Sequence, residues 1–122
     1  MVFQTFLRMK SPPPNTADLL KALHSLMRPA RAEKGFVLCR LYLDADDANT
    51  VSYEERWQTR ADLEVQIRSD RFTRLLTLME SASERPSLEF NCLTDTQGLE
   101  CVEAVRTGRH GQPPGHNHPA LS

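Results

Sequence analysis

Apolar and polar positions along the chain change their period several times, and each change marks an element. From Val2 to Met9 they alternate: Phe3, Thr5, Leu7 and Met9 fall on one side, and Val2, Gln4, Phe6 and Arg8 on the other. A period of two predicts a strand with two usable faces. The run from Ser11 to Pro14, SPPP, stops it, because proline has no N–H to give to a ladder. Asn15 or Thr16 then caps a helix whose first turn carries Asp18, where the helix dipole favours a negative charge. Leu19, Leu20, Leu23, Leu26 and Met27 recur at the helical period and form one apolar stripe. Pro29 should end or kink this helix, since the residue before a proline is pushed out of the α region. Gly35 is a natural pivot into the next element.

Residues Phe36 to Leu43 and Thr50 to Gln58 read as the two arms of a β-hairpin. The segment between them, DADDAN, is a cluster of turn formers and charges that cannot continue a strand. In the first arm Phe36, Leu38, Arg40 and Tyr42 share one face, and Val37, Cys39, Leu41 and Leu43 the other. In the second arm Val51, Tyr53, Glu55 and Trp57 oppose Ser52, Glu54, Arg56 and Gln58. Thr59 followed by Asp62 is close to a helix-capping signal, and Ala61 to Arg68 reads as a short helix with Leu63 and Ile67. Ser69 or Asp70 restarts it, and Phe72, Leu75, Leu76 and Met79 give a second core-facing stripe. After SASERP, Leu88, Phe90 and Cys92 alternate with Ser87, Glu89 and Asn91, which predicts another strand. Leu99 to Arg106 is expected as a further short strand or an extended arm anchored by Val102 and Val105. Residues 107–122, rich in Gly, Pro and His, are expected to form a flexible tail beyond a domain spanning 1–106.

The order β, α, β, β, α, β is that of an α+β, ferredoxin-like fold: a four-stranded antiparallel sheet with helices on one face. The helix-free face then carries Phe, Leu, Tyr and Val side chains. A lone subunit would expose them as a large apolar patch. Pairing two sheets across a two-fold axis removes the patch, so a homodimer is expected. The formal net charge of -1 gives no electrostatic footprint for nucleic acid. No apolar run approaches the ~20 residues that cross a bilayer, and MVFQTFLRMK lacks the pattern of a signal peptide. No membrane partner and a cytoplasmic location are therefore expected.

Some side chains have chemistry to offer. Trp57 either shapes an aromatic pocket that stacks on a planar ligand or packs at a strand–helix junction. Arg40 either binds an anionic oxygen or pairs with Glu54 or Glu55 across the hairpin, or with a carboxylate across a dimer. Tyr42 and Tyr53 either donate to a substrate or reach a wet rim with half-buried rings. Asn91 lies on the last strand among apolar positions, with an open role. His24 flanks the first helical stripe and reads as a solvent-facing residue. Cys39, Cys92 and Cys101 include no CxxC pair and read as reduced, buried thiols. His110, His116 and His118 fall in the tail, which offers no fixed second shell, so no metal site is expected.

The segments GFVLCRLYLD, YEERWQTRADLEVQIRSDRF and GLECVEAVR resemble the antibiotic biosynthesis monooxygenase superfamily of dimeric α+β barrels, over about Leu19 to Arg106. The residues carrying the resemblance are Gly35, the Glu55–Trp57–Thr59 junction, and the Arg68 to Phe72 block. The resemblance implies the fold and the dimer first. It also implies an oxygenase of the quinol- or anthrone-oxidising type that needs no cofactor, because the deprotonated substrate itself reduces O₂. Such an enzyme supplies a chamber for a small aromatic molecule, a hydrogen bond for its phenolic oxygen, and shelter from water. Trp57 and Tyr53 would line that chamber, and Arg40 or Gln66 would steady the oxyanion. The chain departs from relatives that carry a histidine where Gln66 stands, and glutamine takes up no proton at neutral pH. Haem-degrading relatives use an Asn where Tyr53 stands, which sets haem degradation aside. The alternative expectation is a dimeric small-molecule-binding module of the same fold without turnover.

Overall fold

The computed structural model describes residues 1–108. The tail from 109 onward, with His110, His116 and His118, lies outside them. Strand β1 (Val2–Lys10) leads through a short 3-10 turn at Pro13–Asn15 into helix α1 (Thr16–Arg31). The hairpin β2 (Phe36–Leu43) and β3 (Thr50–Trp57) follows, then helices α2 (Arg60–Ile67) and α3 (Asp70–Met79), strand β4 (Ser87–Leu93) and helix α4 (Leu99–Arg106). The strands form one antiparallel sheet in the order β2-β3-β1-β4. This is the ferredoxin-like α+β arrangement expected from the order of elements.

The two stripes read from the sequence meet on one side of the sheet, except that Leu76, expected in the second, is 44% exposed. Leu19, Leu23, Leu26 and Met27 of α1 and Phe72 and Leu75 of α3 pack with Leu7, Met9, Val51 and Tyr53 into one core. Side-chain caps start the short helices where the sequence placed them. The Thr59 hydroxyl accepts from Asp62 N–H at 3.0 Å, and the Ser69 hydroxyl from Phe72 N–H at 3.2 Å. In the hairpin turn Asp47 fixes the chain, accepting from Asn49 N–H at 3.0 Å and from the Thr50 hydroxyl at 2.9 Å. The hairpin turn is tied to the start of α1, where the Thr16 hydroxyl donates to Asn49 Oδ1 at 2.8 Å.

Gly35 is required in two ways. Its φ of +80° lies in the left-handed region, and an added Cβ would sit 2.0 Å from Asp62 Oδ2. Gly35→Ala is therefore expected to lower stability by about 2 kcal/mol or more, read as a drop in the urea midpoint at unchanged slope. A loss below about 0.5 kcal/mol would mean that the junction relaxes without strain.

Several expectations are corrected. Pro29 does not end α1, which runs on to Arg31; a proline in the last turn forgoes one hydrogen bond and leaves the preceding turns intact. A bulge between Phe36 and Leu38 shifts the phase of β2. Phe36 thus leaves the face of Leu38, Arg40 and Tyr42 and stands opposite Trp57, edge-on at 5.8 Å. Residues 99–106 form a helix, neither strand nor arm, and Leu99, Val102 and Val105 recur every three residues along it. Cys39 is buried, but Cys92 is exposed and Cys101 intermediate; Cys92 lies on an edge strand.

The helix-free face is more polar than the sequence pattern predicted. A chain of hydrogen bonds runs across all of its strands. The Tyr42 hydroxyl donates to Glu54 Oε1 at 2.8 Å, Gln4 Nε2 donates to Glu54 Oε2 at 2.5 Å, and Asn91 Nδ2 donates to Gln4 Oε1 at 2.9 Å. Arg56 Nε adds an ion pair to Glu54 at 2.9 Å. Burial of Glu54 penalises its charged form, but these donors outweigh that and hold its carboxyl below the usual carboxylate value.

Candidate functional site

Strand β3 carries the site. Alternation puts Tyr53, Glu55 and Trp57 on the helix side, all at or below 3% exposure. Above them, α2 brings Gln66 and α3 brings Arg71, both also buried. Arg71 falls in the buried phase of its helix, next to Phe72 and one turn before Leu75. Its guanidinium therefore enters the core under the sheet.

The Arg71 guanidinium grips Glu55 with both terminal nitrogens, Nη1 to Oε2 and, at 3.0 Å, Nη2 to Oε1. Nη2 also donates to Gln66 Oε1 at 2.8 Å. The Tyr53 hydroxyl donates to Glu55 Oε2. Burial pushes the Tyr53 phenol well above its ordinary value, and the adjacent Glu55 charge pushes it the same way. Burial pulls the Arg71 guanidinium down, but the Glu55 carboxylate outweighs this and raises it. Tyr53 and Arg71 thus keep their protons at any working pH, and Gln66 is an amide. These three groups can donate, accept and orient; they cannot serve as a base near neutrality.

Trp57 is fully buried among Ala30, Leu63, Phe3 and Phe36. The Arg71 Cζ stands 6.0 Å from its ring centroid, within cation–π range. Its Nε1–H is the one buried side-chain polar atom, among the described residues, without a hydrogen-bond partner. Such groups are rare, and each asks for an explanation.

Glu55 aligns with Thr5 and then Phe90, and Trp57 with Phe3 and then Cys92. Phe90 is 47% exposed and stacks on Phe72 at 6.3 Å. Phe72 and Phe90 thus form an apolar contact on the β4 side of the sheet, with β1 between β4 and the strand of Glu55 and Trp57. A separate cleft of ≈ 290 Å³ lies at the opposite end of the sheet, lined by charged residues including Arg8, Lys10, Asp47 and Arg85.

The five residues singled out from the sequence separate into two groups. Trp57, Tyr53 and Gln66 come together on the helix side. Arg40 and Asn91 lie on the helix-free face, with the sheet between them and Trp57. Within the hairpin Arg40 lies beside Tyr42 and feels the charge of Glu54 without an ion pair to it. Arg40 stands opposite Glu54 in register, but Arg56 makes the ion pair with Glu54, and Arg71 makes the one with Glu55. His24 is exposed, as expected. Arg71 was missed as a member of the site. Its signal was a charged residue at a core phase of an amphipathic helix, with Glu55 at a core phase of a strand.

The family model for antibiotic biosynthesis monooxygenase matches residues 4–77, from β1 to α3, and so takes in Tyr53, Glu55, Trp57, Gln66 and Arg71. The chain belongs to the antibiotic biosynthesis monooxygenase family. Solved structures share the fold at low identity. A putative antibiotic biosynthesis monooxygenase from Deinococcus radiodurans is 13% identical, with a TM-score of 0.72 over 81% of this chain and 98% of that one. One from Nitrosomonas europaea is 16% identical, with a TM-score of 0.68 over 80% and 94%. A conserved protein from Methanosarcina mazei Go1 is 17% identical, with a TM-score of 0.70 over 77% and 94%. No curated protein matches the chain. Among the described residues of this family member, no helix is long and apolar enough to cross a membrane. Nor does any group of three or more His, Cys, Asp or Glu gather there as a metal site.

Proposed function

We propose that this family member is a monooxygenase of the quinol- or anthrone-oxidising type, needing no cofactor. The observation that carries the reading is the unpartnered Trp57 N–H, held in a buried cluster beside the Arg71 guanidinium. A planar aromatic substrate enters along the Phe72–Phe90 flank, stacks there, and presents a phenolic or enolic oxygen to Trp57. The N–H and the nearby cation favour the ionised substrate over the neutral one. The ionised ring then gives electrons to O₂. In the anthrone case a CH₂ group and O₂ become C=O and water. Gln66, Tyr53 and Glu55 act through Arg71, fixing where its charge sits.

Because no protein base stands at the position of Gln66, ionisation follows the substrate's own hydroxyl. Oxygen consumption with a panel of reduced quinols and anthrones is expected to rise steadily from about pH 6 to about pH 9, without the inflection a histidine base would give. A bell-shaped profile with a limb near about pH 6.5 would overturn the mechanism. The second reading is a binding module without turnover, favoured by the full engagement of Glu55 with Arg71. No uptake above buffer, together with a ligand-dependent rise in melting temperature, would decide for it.

A further inference from the structure

The end of the sheet away from Trp57 gathers polar groups around the cleft of ≈ 290 Å³. Strand β1 runs through its middle with Arg8 and Lys10. On one side Ser87 opens β4 opposite Arg8, with Glu84 and Arg85 in the segment leading to it. On the other side Thr50 opens β3 opposite Lys10, with Asp47 in the turn leading to it. Backbone bonds pin both flanking segments to β1 and its end. Ser83 N–H donates to the Lys10 carbonyl at 2.8 Å, and Ser11 N–H donates to the Asn49 carbonyl at 2.8 Å. A cleft whose walls are already fixed loses little freedom when a ligand enters.

Met9 is the one apolar residue that lines the cleft among the described residues, so an aromatic ring finds no face to stack on there. The charges are only partly engaged. Arg8 pairs with Asp44 and Lys10 with Asp47, each at 3.2 Å. Both pairs are exposed to solvent and screened, so neither holds its cation tightly, and each cation keeps further N–H donors free. Arg85 and Glu84 form no ion pair among the described residues. Bonds from the Asn49 N–H, the Thr50 hydroxyl and Lys10 hold the Asp47 carboxyl below its usual range, so it stays an acceptor.

Cations and carboxylates in one cleft call for a ligand that carries both an oxyanion and hydroxyl groups. Guanidinium groups bind phosphate oxygens through charge-assisted hydrogen bonds. Ionised carboxylates can only accept, and a ligand hydroxyl is the donor that suits them. A neutral sugar would leave the cations without a partner, and bare phosphate would leave the carboxylates without one. The two flanking strands stand about 10 Å apart at the usual strand spacing, room for a short phosphorylated carbon chain or a single phosphorylated sugar ring. We propose that this cleft binds a small phosphorylated polyol, with its phosphate on Arg8, Arg85 and Ser87 and its hydroxyls on Asp47 and Glu84. The cleft lies at the far end of the sheet from Trp57, so the proposal stands or falls apart from the reaction.

Isothermal titration of the full chain at about 50 mM salt, where screening is weak, tests it with four probes: glucose 6-phosphate, glycerol 3-phosphate, glucose and inorganic phosphate. At least one of the two phosphate esters is expected to bind about tenfold or more tightly than inorganic phosphate, and glucose to give no heat. Arg85→Glu is expected to weaken that ester by about tenfold or more, since it sets a carboxylate against the phosphate. Glu84→Ala should narrow the gap between ester and inorganic phosphate by about threefold or more, since it removes an acceptor that only the ester uses. Both residues are exposed, and thermal melts without ligand will show that each variant folds. No heat with either ester would overturn the proposal. So would inorganic phosphate binding as tightly as both esters, the mark of a simple anion site. An Arg85→Glu variant that binds the ester like wild type would also overturn it, by moving the ligand to another part of the chain.

Discussion

Replacing Arg71 with methionine is expected to destabilise the fold by about 3–5 kcal/mol. The guanidinium is the only cation joined to Glu55 by a salt bridge among the described residues, and it also holds Gln66 Oε1. Removing it strands a carboxylate that is 3% exposed in the core between sheet and helices. Chemical denaturation of wild type and variant at neutral pH measures the loss. Adding Glu55→Gln removes the stranded charge and keeps an oxygen for the Tyr53 hydroxyl, so the double variant should regain at least half of the loss. A double variant no more stable than Arg71→Met, or an Arg71→Met variant within about 1 kcal/mol of wild type, would show that Glu55 is solvated despite its position.

That pair marks the boundary between what the sequence made legible and what it did not. The stripes of α1 and α3, the Thr59 and Ser69 caps and the Gly35 pivot are local: periodicity and short-range chemistry specify them within a turn or two. Helix α4 was equally local. Leu99, Val102 and Val105 stand three apart after Gly98, a helical spacing, although the segment was read as a short strand or an extended arm. The bulge at Phe36 is different, since one inserted residue in β2 reverses which face every earlier side chain takes, and nothing in the string FVLC announces it. The Glu55–Arg71 grip joins residues sixteen apart through the packing of α3 on the sheet. The strand pattern put Glu55 on the face of Tyr53 and Trp57, but nothing within a turn or two of it names Arg71 as its partner. The helix-free face was misjudged for a related reason: counting its apolar residues missed that Gln4, Tyr42, Arg56 and Asn91 organise around a buried Glu54. Polar groups satisfy one another in space, and their pattern is invisible to a one-dimensional hydropathy reading.

Trp57→Phe is expected to cost little stability and most of the activity. Truncating this fully buried residue to alanine would open a large cavity and lose about 3–5 kcal/mol. Phenylalanine keeps an aromatic ring against Phe36 and under the Arg71 guanidinium. It also removes an N–H that has no partner, and a buried unsatisfied donor itself costs about 1–3 kcal/mol. The smaller ring and the lost penalty oppose one another, so the net change should stay within about 1 kcal/mol of wild type. Turnover is another matter. If the N–H is kept unpaired because it meets the ionised oxygen of a substrate, its loss removes a preorganised donor from the reacting centre, and kcat should fall by about 10²–10³-fold. Binding of the neutral aromatic ring should change far less, since stacking along the Phe72–Phe90 flank is untouched. Oxygen uptake and thermal melts on the same preparations read both quantities. A variant that is several kcal/mol less stable would mean that the indole N–H already has a bond worth keeping within the folded protein, and the substrate role assigned to it would fall. An equally stable variant with unchanged turnover would assign Trp57 to packing alone.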